Sequence, residues 1–254
     1  MTRLSPAAPP AAPAPAAPAA VMAALAEGAP LGDFFAIAVG GPETGWRPAD
    51  DAYATGAQEL VDATAQRYGA GEPRIAASIT QLGHAARLWS PVLYCAAAHG
   101  IVLDLEELRQ AEDGPALRVP APRGHRAPAD GRLAQALYQV VVVRHLDRMA
   151  AGLRVKVAAG LLYGNAASAL AEAARAILAA RPELHGDLVR LTKDLLTTGR
   201  LAGTGRITSA RLDFRRRSCC LYYRVPGGEK CEDCSLAKQV DDQRIDEGNA
   251  RDPC

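Results

Sequence analysis

Four cysteines within sixteen residues constrain this chain more than any other feature. They stand at Cys219, Cys220, Cys231 and Cys234, in the stretch RRRSCCLYYRVPGGEKCEDCSL. The spacing is C-C-x10-C-x2-C. Thiolates gathered this closely select soft metal centres, namely zinc, copper(I) or iron–sulfur clusters. A structural zinc site commonly uses two C-x2-4-C knuckles. Only Cys231 and Cys234 form such a knuckle, and the other half is a vicinal pair. Adjacent side chains on an extended strand point to opposite sides, which suits a two-iron centre better than one tetrahedral ion. The spacing therefore favours a [2Fe–2S] cluster held by four cysteines over zinc, with zinc kept as the alternative.

The segment around the cysteines is basic and then acidic. Arg200, Arg206, Arg211, Arg215, Arg216, Arg217, Arg224 and Lys230 face only Asp213 and Glu229 over residues 200–230. An all-cysteine [2Fe–2S] centre is formally a dianion when oxidised, so nearby cations favour its taking an electron. The run Arg215-Arg216-Arg217 reads either as tuning or donor docking of this kind, or as a solvated basic face. Pro226-Gly227-Gly228 marks a turn between the two cysteine pairs.

The rest of the chain is long enough, at 254 residues, for one large domain or two small ones. Its net charge of +1 gives no electrostatic call for nucleic acid or an anionic membrane. No run of apolar residues reaches the length of a spanning helix. Residues 1–20, an Ala/Pro alternation, read as an extended, solvated tail rather than a signal peptide. A cysteine in an apolar helical context, Cys95, reads as buried and inert, and clustered thiols suit a reducing compartment. Cys254 reads as a free thiol, His125 receives no role, and Asp241 and Asp242 belong to a solvated acidic terminus.

Hydrophobic periodicity predicts a mostly helical body. Helices are expected over residues 21–26, 48–68, 74–89, 91–99, 132–151, 155–163, 166–180 and 183–198. A β-like run covers residues 33–39, and an edge strand is expected near 116–119 in the Pro/Gly/Arg-rich loop 114–128. Gly164-Asn165 reads as a turn between two helices, and Pro91 as the start of a new helix. Trp46 is expected to pack against the first long helix, and Leu60, Val61 and Ala65 to face inward. The fold class is thus α+β, predominantly α-helical. The boundaries are a tail (1–20), a helical body (21–199), a cysteine module (200–240) and an acidic tail (241–254). His84, Arg87 and Trp89 are weak candidates for lining a ligand groove, and Tyr163 and Asn165 weaker still.

The string SCCLYYRVPGGEKCEDCSL resembles the C-terminal [2Fe–2S] module of the FhuF-like ferric-siderophore reductases. The similarity covers all four cysteines and the Pro-Gly-Gly turn. Two upstream stretches, RIAASITQLGHAARLWSP (74–91) and LLYGNAASALAEAAR (161–175), also look like that family. The resemblance implies an oxidoreductase in which Cys219, Cys220, Cys231 and Cys234 ligate a [2Fe–2S] cluster. It implies single-electron transfer to Fe(III) in a siderophore, often a hydroxamate, with release of Fe(II). It further implies a cytoplasmic protein, able to associate with the inner face of the cytoplasmic membrane, served by a separate electron donor such as a ferredoxin or flavoprotein reductase. Two other classes compete: a zinc-stapled, non-redox siderophore-binding protein, and an iron–sulfur sensor.

Overall fold

Helix α4 (Pro73–His99) forms the axis of the protein. Pro73 occupies its first turn, where a missing N–H costs nothing, and Gly100 closes it with φ of 60°. The helix runs unbroken through Pro91, where the sequence predicts two helices meeting. An interior proline costs about 3 kcal/mol. The burial of Leu88, Trp89, Val92 and Leu93 around it outweighs that cost, each being essentially inaccessible. The computed structural model describes residues 13–128 and 131–236.

Around this axis the chain is α+β and predominantly helical. Helices α1 (Pro18–Gly28), α2 (Ala49–Ala54) and α3 (Gln58–Tyr68) precede α4. The expected helix over 48–68 is split, because Gly56 and Ala57 take left-handed backbone conformations. A side chain at Gly56 would lie 2.5 Å from the Gly152 carbonyl. Helix α1 starts at Pro18 and Pro15 bridges His125, so this part of the expected tail is built into the body. Residues 1–12, the terminus from 237 onward, and with them Cys254, Asp241 and Asp242, lie outside the described residues.

Short strands fill the region between α4 and the next helices. Strands β1 (Ala38–Val39), β2 (Trp46–Pro48), β4 (Arg109–Ala111) and β5 (Leu117–Val119) form a sheet in the order β1-β5-β4-β2. The β1–β5 pair is parallel, with Ala38 opposite Arg118, and the others are antiparallel. Strand β5 is therefore interior, not the edge strand expected from sequence. Of the β-like run 33–39, only the last two residues join the sheet. Strands β3 (Ile101–Leu103) and β6 (Gly124–Arg126) make a separate antiparallel pair, with His125 opposite Val102. Trp46 lies in β2 under the Arg118 guanidinium, 4.9 Å from the ring centre.

The segment 133–152 is helical as expected, but its centre is π-helical over Gln139–Leu146 between α5 (Leu133–Tyr138) and α6 (Asp147–Gly152). Four consecutive valines, Val140 to Val143, crowd this stretch, and widening the turn relieves β-branched contacts. Helix α7 (Ala159–Ala180) then packs along α4. It passes straight through Gly164-Asn165, which is neither a turn nor a cap. Alanines 166, 167, 169, 173 and 174 line its buried face and allow close approach. Helix α8 (His185–Leu196) follows, and then a hairpin of β7 (Gly205–Ile207) and β8 (Phe214–Arg216). Leu212 and Phe214 share one apolar core with Trp89, Leu170 and Ile177, so the C-terminal module is fused to the body.

Candidate metal centre

Strand β8 delivers the chain to the cysteines. After it, Cys219 and Cys220 sit in irregular backbone, and Leu221 turns the chain with φ of 69°. A short 3-10 turn, Tyr222–Arg224, leads to Pro226 and to Gly227, whose φ is 70°. Gly228 approaches so closely that a Cβ would lie 2.2 Å from the Tyr222 carbonyl. The returning chain then makes the knuckle, closed by the Cys234 N–H donating to the Cys231 carbonyl at 3.0 Å.

The vicinal cysteines face different partners. Cys220 faces Cys231, with sulfurs 3.9 Å apart. Cys219 faces Cys234 closely enough to share a hydrogen bond. Each pair joins one buried sulfur, Cys220 or Cys234, to one half-buried sulfur, Cys231 or Cys219. Among the described residues no three His, Cys, Asp or Glu side chains are gathered to hold a single metal ion. The four sulfurs are arranged two by two. Backbone amides reach Cys219 and Cys234 as well: Leu221 N–H donates to Cys219 Sγ at 3.3 Å and Leu236 N–H to Cys234 Sγ at 3.4 Å. Such donors stabilise thiolate-bound clusters.

The three arginines before the cysteines have three different fates. Arg216 is buried, and its guanidinium donates to Cys231 Sγ at 2.7 Å. Burial opposes its charge, but the neighbouring Cys220 and Cys231 outweigh that and hold its pKa up. The Cys220 thiol is drawn down to about 5, first by the hydrogen bond from Cys231 and then, against burial, by Arg216. Cys231, as the donor of that bond, is shifted up. Of this pair Cys220 is the sulfur held as the anion, with the Arg216 charge beside it. Arg215 donates to the Cys234 carbonyl and braces the knuckle. Arg217 is exposed, its N–H bonded to the Thr204 carbonyl at 2.8 Å.

A buried polar chain ties this centre to the two central helices. Arg216 also donates to Asn165 Oδ1 at 2.8 Å. Asn165 Nδ2 donates to the Ser78 carbonyl and to Gln81 Oε1, both at 3.1 Å. Ser78 Oγ donates to the Cys220 carbonyl at 2.8 Å, closing the ring. Asn165 and Ser78 are fully inaccessible. Next to it, Ser168 donates to the Asp233 carboxylate, and Arg175 of α7 reaches Glu232 at 3.3 Å. Gly164 leaves room for the module: a Cβ there would lie 2.2 Å from Ser218 Oγ. The module's far side rests on the α3–α4 corner, where Tyr222 meets Tyr68 edge-on at 5.8 Å and Arg224 pairs with Glu72.

Residues 216–236 match the family model of the FhuF 2Fe-2S C-terminal domain. The matched span contains all four cysteines and Arg216. The match indicates a [2Fe–2S] cluster, and the donor set fits it: four thiolates in two pairs, amide donors on Cys219 and Cys234, and a buried cation on Cys231. No curated protein matches the chain. The two helical stretches singled out in the sequence, 74–91 and 161–175, supply the polar ring that holds the module.

The weaker candidates separate clearly. Trp89 is wholly buried core. His84 is buried, and its Nε2 lies 2.7 Å from Tyr53 Oη, which lies 3.2 Å from His145 Nδ1. His145 Nε2 must donate to the Leu105 carbonyl at 3.1 Å. That fixes a one-way chain in which His84 donates to Tyr53 and Tyr53 to His145. Burial lowers the pKa of His84 to about 4 and of His145 to about 3. Both stay neutral and serve the core. Arg87 lines an open cleft that His84 also borders, with its guanidinium 4.8 Å over Phe34. Tyr163 donates to Asp147. Cys95 is buried, its thiol pushed up to about 12 by burial. Sequence reasoning missed Ser78, Gln81, Gly164 and the role of Asn165. A polar residue repeated on the buried face of a helix was the available signal.

Proposed function

We propose that the protein is a ferric-siderophore reductase. It passes single electrons to Fe(III) held in a siderophore of hydroxamate type and so releases Fe(II). The [2Fe–2S] cluster, bound by Cys219, Cys220, Cys231 and Cys234, supplies the one-electron chemistry. The observation that supports this reading most is the buried Arg216 guanidinium on Cys231 Sγ within the segment matching the FhuF module. A cation fixed in a low-dielectric site favours the more negative, reduced state of its neighbour.

The chain's own residues do the rest. Arg216 compensates charge, and Asn165, Ser78 and Gln81 hold it in place. The amides of Leu221 and Leu236 donate to the Cys219 and Cys234 sulfurs. Electron transfer of this kind needs no general base or nucleophile. The electron arrives from a separate donor of the ferredoxin or flavoprotein class in the cytoplasm. No described helix is long and apolar enough to cross a membrane.

The test is anaerobic. Protein reduced with dithionite and freed of excess reductant is mixed with a ferric trihydroxamate and an Fe(II) trap. Reoxidation of the protein with about one Fe(II) trapped per electron is expected. A reduced spectrum unchanged by the chelate would overturn the reading.

A further inference from the structure

A groove opens directly beside the half-buried edge of the centre. Its volume is about 740 Å³, within the range of sites for bulky small molecules. Helices α4 and α7 form its walls, with Leu82, Ala86, Ala169 and Ala173 presenting apolar surface. Cys231, Arg216, Tyr222 and Phe34 complete its lining. A second cleft of about 480 Å³ continues it, since both are lined by Phe34, Tyr68, Ile79 and Gly83. Phe34 is 44% exposed at this junction. An aromatic ring left in water beside an apolar groove suits an apolar occupant.

The charges of the lining are already matched. Arg216 is engaged by Cys231 and Asn165. Arg175 is engaged by Glu172, Glu232 and Asp213. With Asp233, the groove holds three carboxylates against these two arginines. That balance disfavours a strongly anionic chelate, such as one wrapped by catecholates, and accepts an uncharged or weakly cationic one.

We infer that this groove seats the ferric chelate, a trihydroxamate of little or no negative charge, with Cys231 as the ligand nearest to it. The inference rests on the reductase reading and adds the substrate's place. One electron passes from the reduced centre to Fe(III), giving Fe(II). No bond to sulfur forms or breaks, and the one-electron donor protein restores the electron.

Gly83 offers a direct test. It lies within α4 and lines both clefts, and a Cβ there meets nothing nearer than Arg87 Nη1 at 3.5 Å. Gly83→Phe therefore fills the groove without backbone strain. The probe is the redox-inert gallium(III) complex of a linear trihydroxamate, titrated into the cluster-loaded full chain by calorimetry. Gly83→Phe should weaken binding by about tenfold or more, and the surface truncation Phe34→Ala by about threefold. Iron and sulfide content should stay at parental levels in both. Parental affinity in both variants would overturn the groove assignment, as would absence of gallium-chelate binding to the parent. The reductase reading is judged separately, by whether the ferric complex reoxidises the parent: reoxidation with unaltered Gly83→Phe binding removes the groove alone.

Discussion

The Arg216 guanidinium lies 2.7 Å from Cys231 Sγ and is held on its other side by Asn165 Oδ1 at 2.8 Å. One side chain thus joins the metal centre to the second turn of α7. It neutralises charge where burial makes charge expensive, and its position is set by a helix outside the matched module. Two consequences follow, one electrostatic and one structural.

Replacing Arg216 by Gln removes the cation and keeps a hydrogen-bond donor. The midpoint potential should fall, because the reduced centre loses its compensating charge. One charge at about 4 Å and an effective dielectric near 20 is worth about 4 kcal/mol, so a fall on the order of 170 mV is expected for this one-electron couple. Potentiometric titration followed by visible absorbance measures it. An unchanged potential would show that Arg216 only packs.

Asn165→Leu should leave Arg216, Ser78 and Gln81 without their shared partner. Each buried polar group left unsatisfied costs about 1–3 kcal/mol. We expect a lower unfolding midpoint and faster loss of iron to a chelator than in the parent. Denaturant titration and timed iron release check both.

Two glycines of α7 should behave in opposite ways. A Cβ at Gly164 would lie 2.2 Å from Ser218 Oγ, whereas one at Gly160 meets nothing within 4 Å. Gly164→Ala should destabilise by up to about 1 kcal/mol, because the Ser218 hydroxyl must rotate away while its Cβ stays 3.6 Å clear. Gly160→Ala should be neutral or stabilising by up to about 1 kcal/mol. Thermal melts of the two variants side by side decide it.

Stability should fall as the solution is acidified from pH 7. His84 and His145 are held neutral in the folded chain, with pKa values near 4 and 3, and each regains a proton near 6.5 on unfolding. Below about pH 6.5 the unfolded state binds up to two more protons than the folded one. The slope then reaches about 2.7 kcal/mol per pH unit, favouring unfolding as pH drops. The loss continues until the folded-state values are reached. Urea midpoints at pH 7, 6 and 5 measure the slope, and a flat profile would contradict the buried neutral pair.

Local chemistry made much of this legible in the sequence. The four cysteines, the turn at Pro226 and Gly227, the buried Cys95 and the long helical segments follow from spacing and periodicity. What failed to show is non-local. Pro91 reads as a helix start, but it stays inside α4 because the surroundings bury the helix on nearly every side. Gly164-Asn165 reads as a turn, but Gly164 provides clearance for Ser218 and Asn165 provides bonds to Arg216 and Ser78. Strands of two or three residues, such as β1 and β5, carry no readable period, so the interior place of β5 emerges only from its partners. The arginine run looks uniform, yet alternation along β8 buries Arg216 beside a half-buried Arg215, and Arg217, just past the strand, is exposed.

The most direct test of the central claim is the iron and acid-labile sulfide content of anaerobically purified protein, taken with its visible spectrum. About two irons and two sulfides per chain are predicted, with a red-brown absorbance that bleaches on reduction and is lost in Cys231→Ser. A colourless protein with one zinc and no sulfide would contradict it.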